Sequence, residues 1–128
     1  MAKLDQQTIL VVDDDQDIRE TVCMLLEDEG YRAVGAANGA EALAMLDNAE
    51  HPCLVLLDLM MPVMNGWEFI EQLEKRHALD EIPVVVQSAA DEVLRPDGVR
   101  GYLKKPVHLD TLLARVRQYC RCNCAHAS

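Results

Sequence analysis

Two short apolar runs, each ended by aspartate, constrain the fold of this chain more than any other feature of its sequence. The first run, Thr8–Val12 (TILVV), stops at Asp13–Asp15, and the second, Cys53–Leu57 (CLVLL), stops at Asp58. Continuous apolar runs of this length are typical of strands that are buried on both faces of a sheet. Such strands belong to parallel sheets with helices on both sides, so the two runs predict an α/β fold.

Strand and helix patterns alternate along the rest of the chain. The patterns predict helices over 17–29, 40–47, 67–77 and 109–119, and further strands over 32–37, 84–87 and 102–104. We therefore predict a flavodoxin-like three-layer α/β sandwich with a five-stranded parallel sheet of order 2-1-3-4-5 and five helices. The fourth helix is predicted to be short or irregular, because Pro96 and Gly98 interrupt the segment between the last two strands.

The charge balance narrows the classes of function. The chain carries 22 acidic and 12 basic residues, for a net charge of -10, which argues against direct nucleic-acid binding. The same charge suits a protein that binds cations or a basic partner surface. No apolar run approaches the roughly 20 residues that span a bilayer, so we expect a cytoplasmic protein without membrane association.

Polar residues of interest follow four of the predicted strands. They are Asp13 and Asp14 after the first strand, Asp58 after the third, Ser88 after the fourth and Lys105 after the fifth. Each one alone has an ordinary interpretation, such as a helix cap or a turn residue. Because the carboxyl ends of parallel strands meet at one edge of the sheet, we expect these residues to form one site.

The chemistry of that site is predicted from its charges. Three clustered carboxylates repel one another, and a divalent cation with oxygen ligands, Mg²⁺ or alternatively Mn²⁺, relieves the repulsion. Asp58 can then stay ionised and attack phosphorus as a nucleophile. Lys105 can neutralise charge on the transferred group and Ser88 can donate a hydrogen bond to it, as phosphoryl transfer requires.

Four sequence blocks carry a resemblance to a known family. ILVVDDD, VLLDLMMPVMNG, VVVQSA and GYLKKP occur in order between Gln7 and Tyr119. With them the chain resembles the response-regulator receiver domain of two-component signalling, of the stand-alone, chemotaxis-regulator type. The resemblance implies a phosphorylation-dependent signalling switch in which Asp58 accepts a phosphoryl group from phosphohistidine. The donor would be a sensor histidine kinase or a histidine phosphotransfer protein.

The resemblance also implies roles for the neighbouring residues. Asp13, Asp14, Asp58 and the main-chain oxygen of Met60 would hold Mg²⁺. Ser88 would be the switch hydroxyl, Tyr102 the switch aromatic and Lys105 the family's lysine, which directly precedes the proline. Lys104 is the alternative lysine by position. The Lys105–Pro106 peptide bond is expected to be cis. The fourth helix, fifth strand and fifth helix would present the phosphorylated state to an unidentified downstream protein.

The resemblance sets further expectations for activity and extent. Met60 and Ala90, two residues after Asp58 and Ser88, are non-polar and cannot orient an attacking water, so self-dephosphorylation should be slow. The protein should catalyse only its own phosphorylation and dephosphorylation, and otherwise not act as an enzyme. We expect the receiver domain over 7–120 and a frayed tail over 121–128, with no output domain attached.

Three other functions remain open at this point. A haloacid-dehalogenase-like phosphatase would need a second acid two residues after Asp58, where Met60 stands. A flavodoxin-like nucleotide binder would need a Gly-rich or Ser/Thr-rich phosphate loop after the first strand, where three aspartates stand. A degenerate receiver would bind partners without phosphorylation, against which the intact acceptor and metal positions count.

The five cysteines fit no usual framework. Cys23 and Cys53 lie in apolar segments and are predicted to be small core residues. Cys120, Cys122 and Cys124 are predicted to be adventitious thiols of a frayed tail. A metal site is the alternative, but CxCxC lacks the CxxC spacing typical of zinc.

Overall fold

The structure, a computed structural model, describes residues 7–47, 51–59, 63–76, 81–89 and 98–120. The described strands and helices follow the predicted order, and their bounds lie within two residues of the expected ones. They are β1 (Thr8–Val12), α1 (Gln16–Asp28), β2 (Arg32–Ala36), α2 (Gly39–Asp47), β3 (Leu54–Leu57), α3 (Gly66–Lys75), β4 (Val84–Ser88), β5 (Gly101–Lys104) and α4 (Leu109–Tyr119). None of these helices is long and apolar enough to cross a bilayer.

The five strands form one parallel sheet of order β2-β1-β3-β4-β5, which confirms the predicted flavodoxin-like order. The chain leaves β1 toward β2 on one side and later returns to β3 on the other. β1 and β3 are therefore direct neighbours, with Val12 opposite Leu57. Ligands of open α/β sheets bind at this switch in strand order, beyond the carboxyl ends of the strands.

Alternate strand residues fill two separate cores, one on each face of the sheet. One core packs against α2 and α3, and its largest fully buried side chain is Phe69. The other core packs against α1 and α4, and includes Leu26 and Val116. Burial of a side chain of this size contributes about 1.5–3 kcal/mol before entropic costs. The strands that lead to the site are therefore packed on both faces.

The predicted fourth helix falls mostly on residues 90–97, which lie outside the described part of the chain. Its short or irregular character stays a prediction, as does the frayed tail over 121–128. Gly98 has a φ of 89°, a left-handed conformation that glycine adopts at little cost. Beyond it, the main-chain nitrogen of Arg100 donates to the carbonyl oxygen of Val84 at 2.7 Å and brings the chain back into the sheet.

The expectation for Cys120 was wrong. Cys120 directly follows α4, is buried, and forms a disulfide with Cys53. Cys53 is buried as predicted, but as a disulfide partner rather than a free core thiol. Cys23 is the free cysteine within the described ranges. Spacing along the chain could not reveal this pair, because α4 and the start of β3 meet only after the sandwich has formed.

Candidate functional site

The three aspartates after β1 have three different environments. Asp13 is completely buried, and its Oδ1 accepts a hydrogen bond from the main-chain nitrogen of Asp15 at 3.0 Å. Asp14 is exposed. Asp15 caps α1, since its side chain accepts from the nitrogen of Ile18 at 3.1 Å. The capping interpretation therefore holds for Asp15, while Asp13 and Asp14 lie at the edge of the sheet.

Asp58 lies at the end of β3, beside the end of β1. Its side chain is 8% exposed, and its main-chain nitrogen donates to the carbonyl oxygen of Val12 at 3.0 Å. The loop that follows returns against it at Gly66, whose nitrogen donates to the carbonyl oxygen of Leu59 at 3.0 Å. A Cβ on Gly66 would lie 2.9 Å from the main-chain oxygen of Asp58. The acid is thus enclosed by closely packed backbone.

Lys105 joins the two buried acids. Its Nζ donates to Oδ2 of Asp13 at 2.9 Å and to Oδ2 of Asp58 at 3.2 Å. The Lys105–Pro106 peptide bond is cis, the isomer expected from the sequence. The neighbouring Lys104 is an exposed residue of β5. Residues 92 and 47 positions apart in the chain are therefore in direct contact at the switch in strand order.

The pKa of Lys105 is raised above its ordinary value. Burial by itself lowers the pKa, since it disfavours the charged ammonium. The hydrogen bond to Asp13 and the negative charge of Asp58 act in the opposite direction and together outweigh burial. Lys105 is consequently a permanent cation at neutral pH, placed where phosphoryl oxygens could be neutralised.

Three carboxylates meet around this lysine. Asp13, Asp14 and Asp58 each offer an oxygen, and these oxygens lie within 4.8 Å of one another. One ammonium among three carboxylates leaves an excess of negative charge. Oxygen donors with one exposed carboxylate suit a Mg²⁺ ion that keeps several waters. The donor set therefore fits the expected cation, while the predicted ligand Met60 lies outside the described residues.

Ser88 and Tyr102 occupy the two strands beyond the acids. Ser88 ends β4 and is completely buried, and its carbonyl oxygen accepts from the nitrogen of Lys105 at 2.9 Å. Tyr102 is half-buried in β5, opposite Val86 of β4, and packs against the core on the α2 and α3 side. All the predicted site residues within the described ranges thus lie at or near the carboxyl edge of the sheet.

Two features of this edge escaped sequence reasoning. Arg19 of α1 donates from Nη1 to the main-chain oxygen of Asp13 at 2.8 Å and so fixes the end of β1. Gln87 is buried in β4, and its Nε2 has no hydrogen-bond partner within the part of the chain that the structure describes. Gln87 lines a largely apolar cavity of about 440 Å³ with Ile18, Val22 and Lys105 among its neighbours. The sequence signal that could have indicated this feature is the glutamine at the end of the apolar run VVV in VVVQS.

Comparison with known proteins places this geometry in a family. Residues 9–117 match the family described as the response regulator receiver domain. The chain is 41% identical over 118 residues to the response regulator MprA of a Mycobacterium species (strain KMS), covering 88% of this chain and 50% of the relative. It is 39% identical over 125 residues to a 14.6 kDa protein of Leptolyngbya boryana, covering 94% and 95% of the two chains.

A solved structure shares the arrangement. Response regulator TrrA of Thermotoga maritima, determined in complex with Mg²⁺ and BeF, has 31% sequence identity and a TM-score of 0.77, with 88% of this chain and 98% of the other covered. The chain spans about half the length of the MprA relatives that it matches. On the family match and these likenesses together, the chain belongs to the response regulator receiver domains of two-component systems.

Proposed function

We propose that this protein is a phosphorylation-dependent signalling switch that accepts a phosphoryl group on Asp58. Response regulator receiver domains are signalling switches phosphorylated by histidine kinases or phosphotransfer proteins. The finer assignment concerns this chain: Asp58 is the acceptor, Asp13 and Asp14 complete a Mg²⁺ site, and Ser88 and Lys105 bind the phosphoryl oxygens. The observation that carries the proposal is the contact of the Lys105 ammonium with both Asp13 and Asp58.

The residues around Asp58 account for the chemistry. An oxygen of the Asp58 carboxylate attacks phosphorus, the bond from phosphorus to the donor imidazole nitrogen breaks, and that nitrogen keeps the electron pair and takes up a proton. Lys105 moves its hydrogen bond from Asp58 to an arriving oxygen, which concentrates positive charge where negative charge develops. The Ser88 hydroxyl donates to a second phosphoryl oxygen.

Asp13, Asp14 and Asp58 would hold the metal, with the main-chain oxygen of Met60 as the further ligand proposed from the sequence. Bound Mg²⁺ would supply positive charge that offsets repulsion between these carboxylates and the phosphoryl group. Arg19 supports the same end of β1 through the main-chain oxygen of Asp13. This chain's contribution is thus a set of oxygen donors held in place by buried strands.

The switch itself follows from new contacts. A phosphoryl group on Asp58 can bind Ser88 and Lys105 only when both side chains turn toward it, so phosphorylation favours that arrangement. We propose that Tyr102 changes rotamer with Ser88. The segment before β5, together with β5 and α4, then presents the change to a downstream protein. We further propose a receiver domain over 7–120 in a cytoplasmic setting.

Incubation with Mg²⁺ and phosphoramidate, followed by intact-mass measurement, tests the proposal. The wild-type protein should gain the mass of one phosphoryl group, and EDTA should prevent the gain. Asp58→Asn should gain nothing. Asp17→Asn, at an exposed acid in the first turn of α1, is the matched control and should gain as much as wild type.

Two outcomes contradict the assignment. A wild-type protein that stays unmodified in Mg²⁺ would be a degenerate receiver or a protein of another function. A gain that survives Asp58→Asn would move the acceptor to another residue. Decay of the added mass measures the lifetime of the phosphoryl group on Asp58. We expect this lifetime to be long for a receiver domain, because Met60 and Ala90 are non-polar and cannot orient an attacking water.

A further inference from the structure

A disulfide joins the two segments that also meet at the acidic site. Cys53 directly precedes β3, and Asp58 directly follows that strand. Cys120 directly follows α4, and Lys105 lies in the loop that leads into that helix. The Lys105–Asp58 contact ties the two segments at one end, and the disulfide ties them at the other. The bond is thus placed to control how firmly α4 is held to the sheet.

Besides Cys120, two side chains of the last turn of α4, Val116 and Tyr119, pack in the core on the α1 and α4 side. Val116 is completely buried and Tyr119 is half-buried, whereas Arg117 and Gln118 point to solvent. The nitrogen of Cys120 donates to the carbonyl oxygen of Val116, a bond within the same turn rather than to the sheet. Helix ends open locally far more readily than strands do. The disulfide therefore holds this turn together with the packed side chains, and the sulfur of Cys120 becomes accessible when the turn opens.

The dithiol form fits the same place. Sγ of Cys53 lies 3.5 Å from the carbonyl oxygen of Thr8, so a reduced Cys53 would have an acceptor for its S–H. Both cysteines belong to the core on the α1 and α4 side, where a small thiol packs as an apolar group. After reduction, the Cys53 thiol would thus have a hydrogen-bond acceptor, and both thiols would pack within this core. Both redox states are compatible with the fold, which is the requirement for a reversible site.

We propose that Cys53 and Cys120 form a reversible redox site that fastens the last turn of α4 to the start of β3 when oxidised and releases it when reduced. The co-reactants are hydroperoxides or small disulfides in one direction and small thiols in the other. Two thiols give two protons and two electrons to one hydrogen peroxide, which becomes two waters as the S–S bond forms. Two molecules of glutathione return the electrons and leave as one oxidised glutathione.

Cys23 is an internal control for this chemistry. It lies in α1, half-buried and without a disulfide partner. Burial and the nearby Glu27 raise the pKa of Cys23 to about 11, so very little of it is thiolate at neutral pH. Cys23 should therefore stay a thiol under conditions that convert Cys53 and Cys120. Cys122 and Cys124, close by in sequence, are the competing partners that an experiment has to separate.

Equilibration of the wild-type protein in graded glutathione buffers, followed by alkylation and peptide mass mapping, tests the site. We expect one reversible two-electron transition that links the peptides of Cys53 and Cys120. The link should persist in Cys23→Ser and in the double variant Cys122→Ser/Cys124→Ser. A wild-type link between Cys120 and either tail cysteine would overturn the proposal, as would tight zinc binding by the reduced protein.

Amide hydrogen exchange tests whether the disulfide restrains the end of α4 or leaves its local opening unchanged. In the reduced wild-type protein, exchange over 116–120 should be at least about tenfold faster than in the oxidised protein, with β3 little changed. Equal exchange in both states would show that the bond does not hold the helix. Neither measurement involves phosphorylation, so failure of the redox proposal can be distinguished from failure of the proposed phosphorylation.

Discussion

At the scale of single residues, Lys105 has the environment most closely tied to the chemistry of the site. Its side chain is only 22% exposed, and its ammonium separates two carboxylates that are almost completely buried. Partial burial strengthens these contacts relative to a surface ion pair. The same lysine therefore stabilises the metal-free protein and is available to a phosphoryl group.

Lys105→Met should destabilise the metal-free protein by about 1–2 kcal/mol, because Asp13 and Asp58 would then face each other without a cation. Saturating Mg²⁺ should recover part of that loss. Urea unfolding with and without Mg²⁺ measures both effects, and Lys104→Met, at the exposed neighbour, is the control. A Lys105→Met protein as stable as wild type without Mg²⁺ would contradict the stabilising role of the contact.

The stability difference between wild type and Lys105→Met depends on pH with a definite sign. The pKa of Lys105 is higher in the folded protein than its ordinary value. The stabilisation is therefore fully present below the unfolded-state pKa of about 10.4 and disappears as the pH rises through the folded-state value. From neutral pH upward, the stability difference between wild type and Lys105→Met should stay constant until strongly alkaline solution, where it shrinks. A difference that shrinks near pH 7 would point to another group.

Gln87 is a second residue whose surroundings predict a stability change. A buried amide nitrogen without a hydrogen bond costs about 1–3 kcal/mol. Gln87→Leu should therefore raise the free energy of unfolding by about 1 kcal/mol, since the cavity beside it is lined mainly by apolar groups. Gln118→Leu, on the exposed face of α4, should be nearly neutral. Destabilisation by Gln87→Leu would mean that an ordered water satisfies the amide.

At the scale of elements, the start of α3 fixes the loop after Asp58. Asn65 and Glu68 form a reciprocal capping box, in which each side chain accepts from the other residue's main-chain nitrogen, at 2.9 and 3.1 Å. Such a cap defines where the helix begins. Gly66, which follows Asn65, brings the first turn of the helix against the backbone of Leu59. The helix start and the strand end therefore hold one another in position.

Gly66→Ala should break this arrangement. The new Cβ would lie 2.7 Å from Cα of Leu59, which is backbone and cannot turn away as a side chain could. We expect a loss of about 1–3 kcal/mol from overpacking and slower phosphorylation from phosphoramidate, because the backbone next to Asp58 must shift. Gly101→Ala is the matched control, since its Cβ would meet its nearest neighbours at an ordinary 3.7 Å. Equal phosphorylation rates for both variants would contradict the positional argument.

At the scale of the whole molecule, the disulfide closes more than half of the chain into a loop. The two cysteines are 67 residues apart in sequence, and a loop of that length corresponds to about 4 kcal/mol in the chain-entropy treatment. Oxidised wild-type protein should exceed Cys53→Ser in unfolding free energy by an amount of this order, as measured by urea denaturation. Cys23→Ser should retain nearly all the stability of oxidised wild type. A small loss of unfolding free energy in Cys53→Ser would mean that removal of the disulfide adds little conformational entropy to the unfolded chain.

By itself, the sequence determined the order of strands and helices and the edge at which chemistry would occur. Apolar runs such as TILVV and CLVLL report burial on both faces directly, and alternation with helices leaves few ways to build the sheet. The four polar strand ends could be assigned to one edge for the same reason. These predictions succeed because the periodicity that marks each element is local in the chain, and because the rules for connecting successive parallel strands leave few possible sheets.

Only the tertiary structure decided which side chains meet. Asp13 is buried at the site while Asp15, two residues later, caps α1, and only the orientation of the strand end distinguishes them. Lys105 reaches Asp13 across 92 positions, and Cys120 reaches Cys53 across 67. Contacts between such distant positions form when α4 and the loop before it pack on the finished sheet. The sequence placed Lys105 at the same edge as Asp13 but did not specify their contact, and it gave no sign of the Cys53–Cys120 pair, because each contact depends on the summed geometry of the elements between.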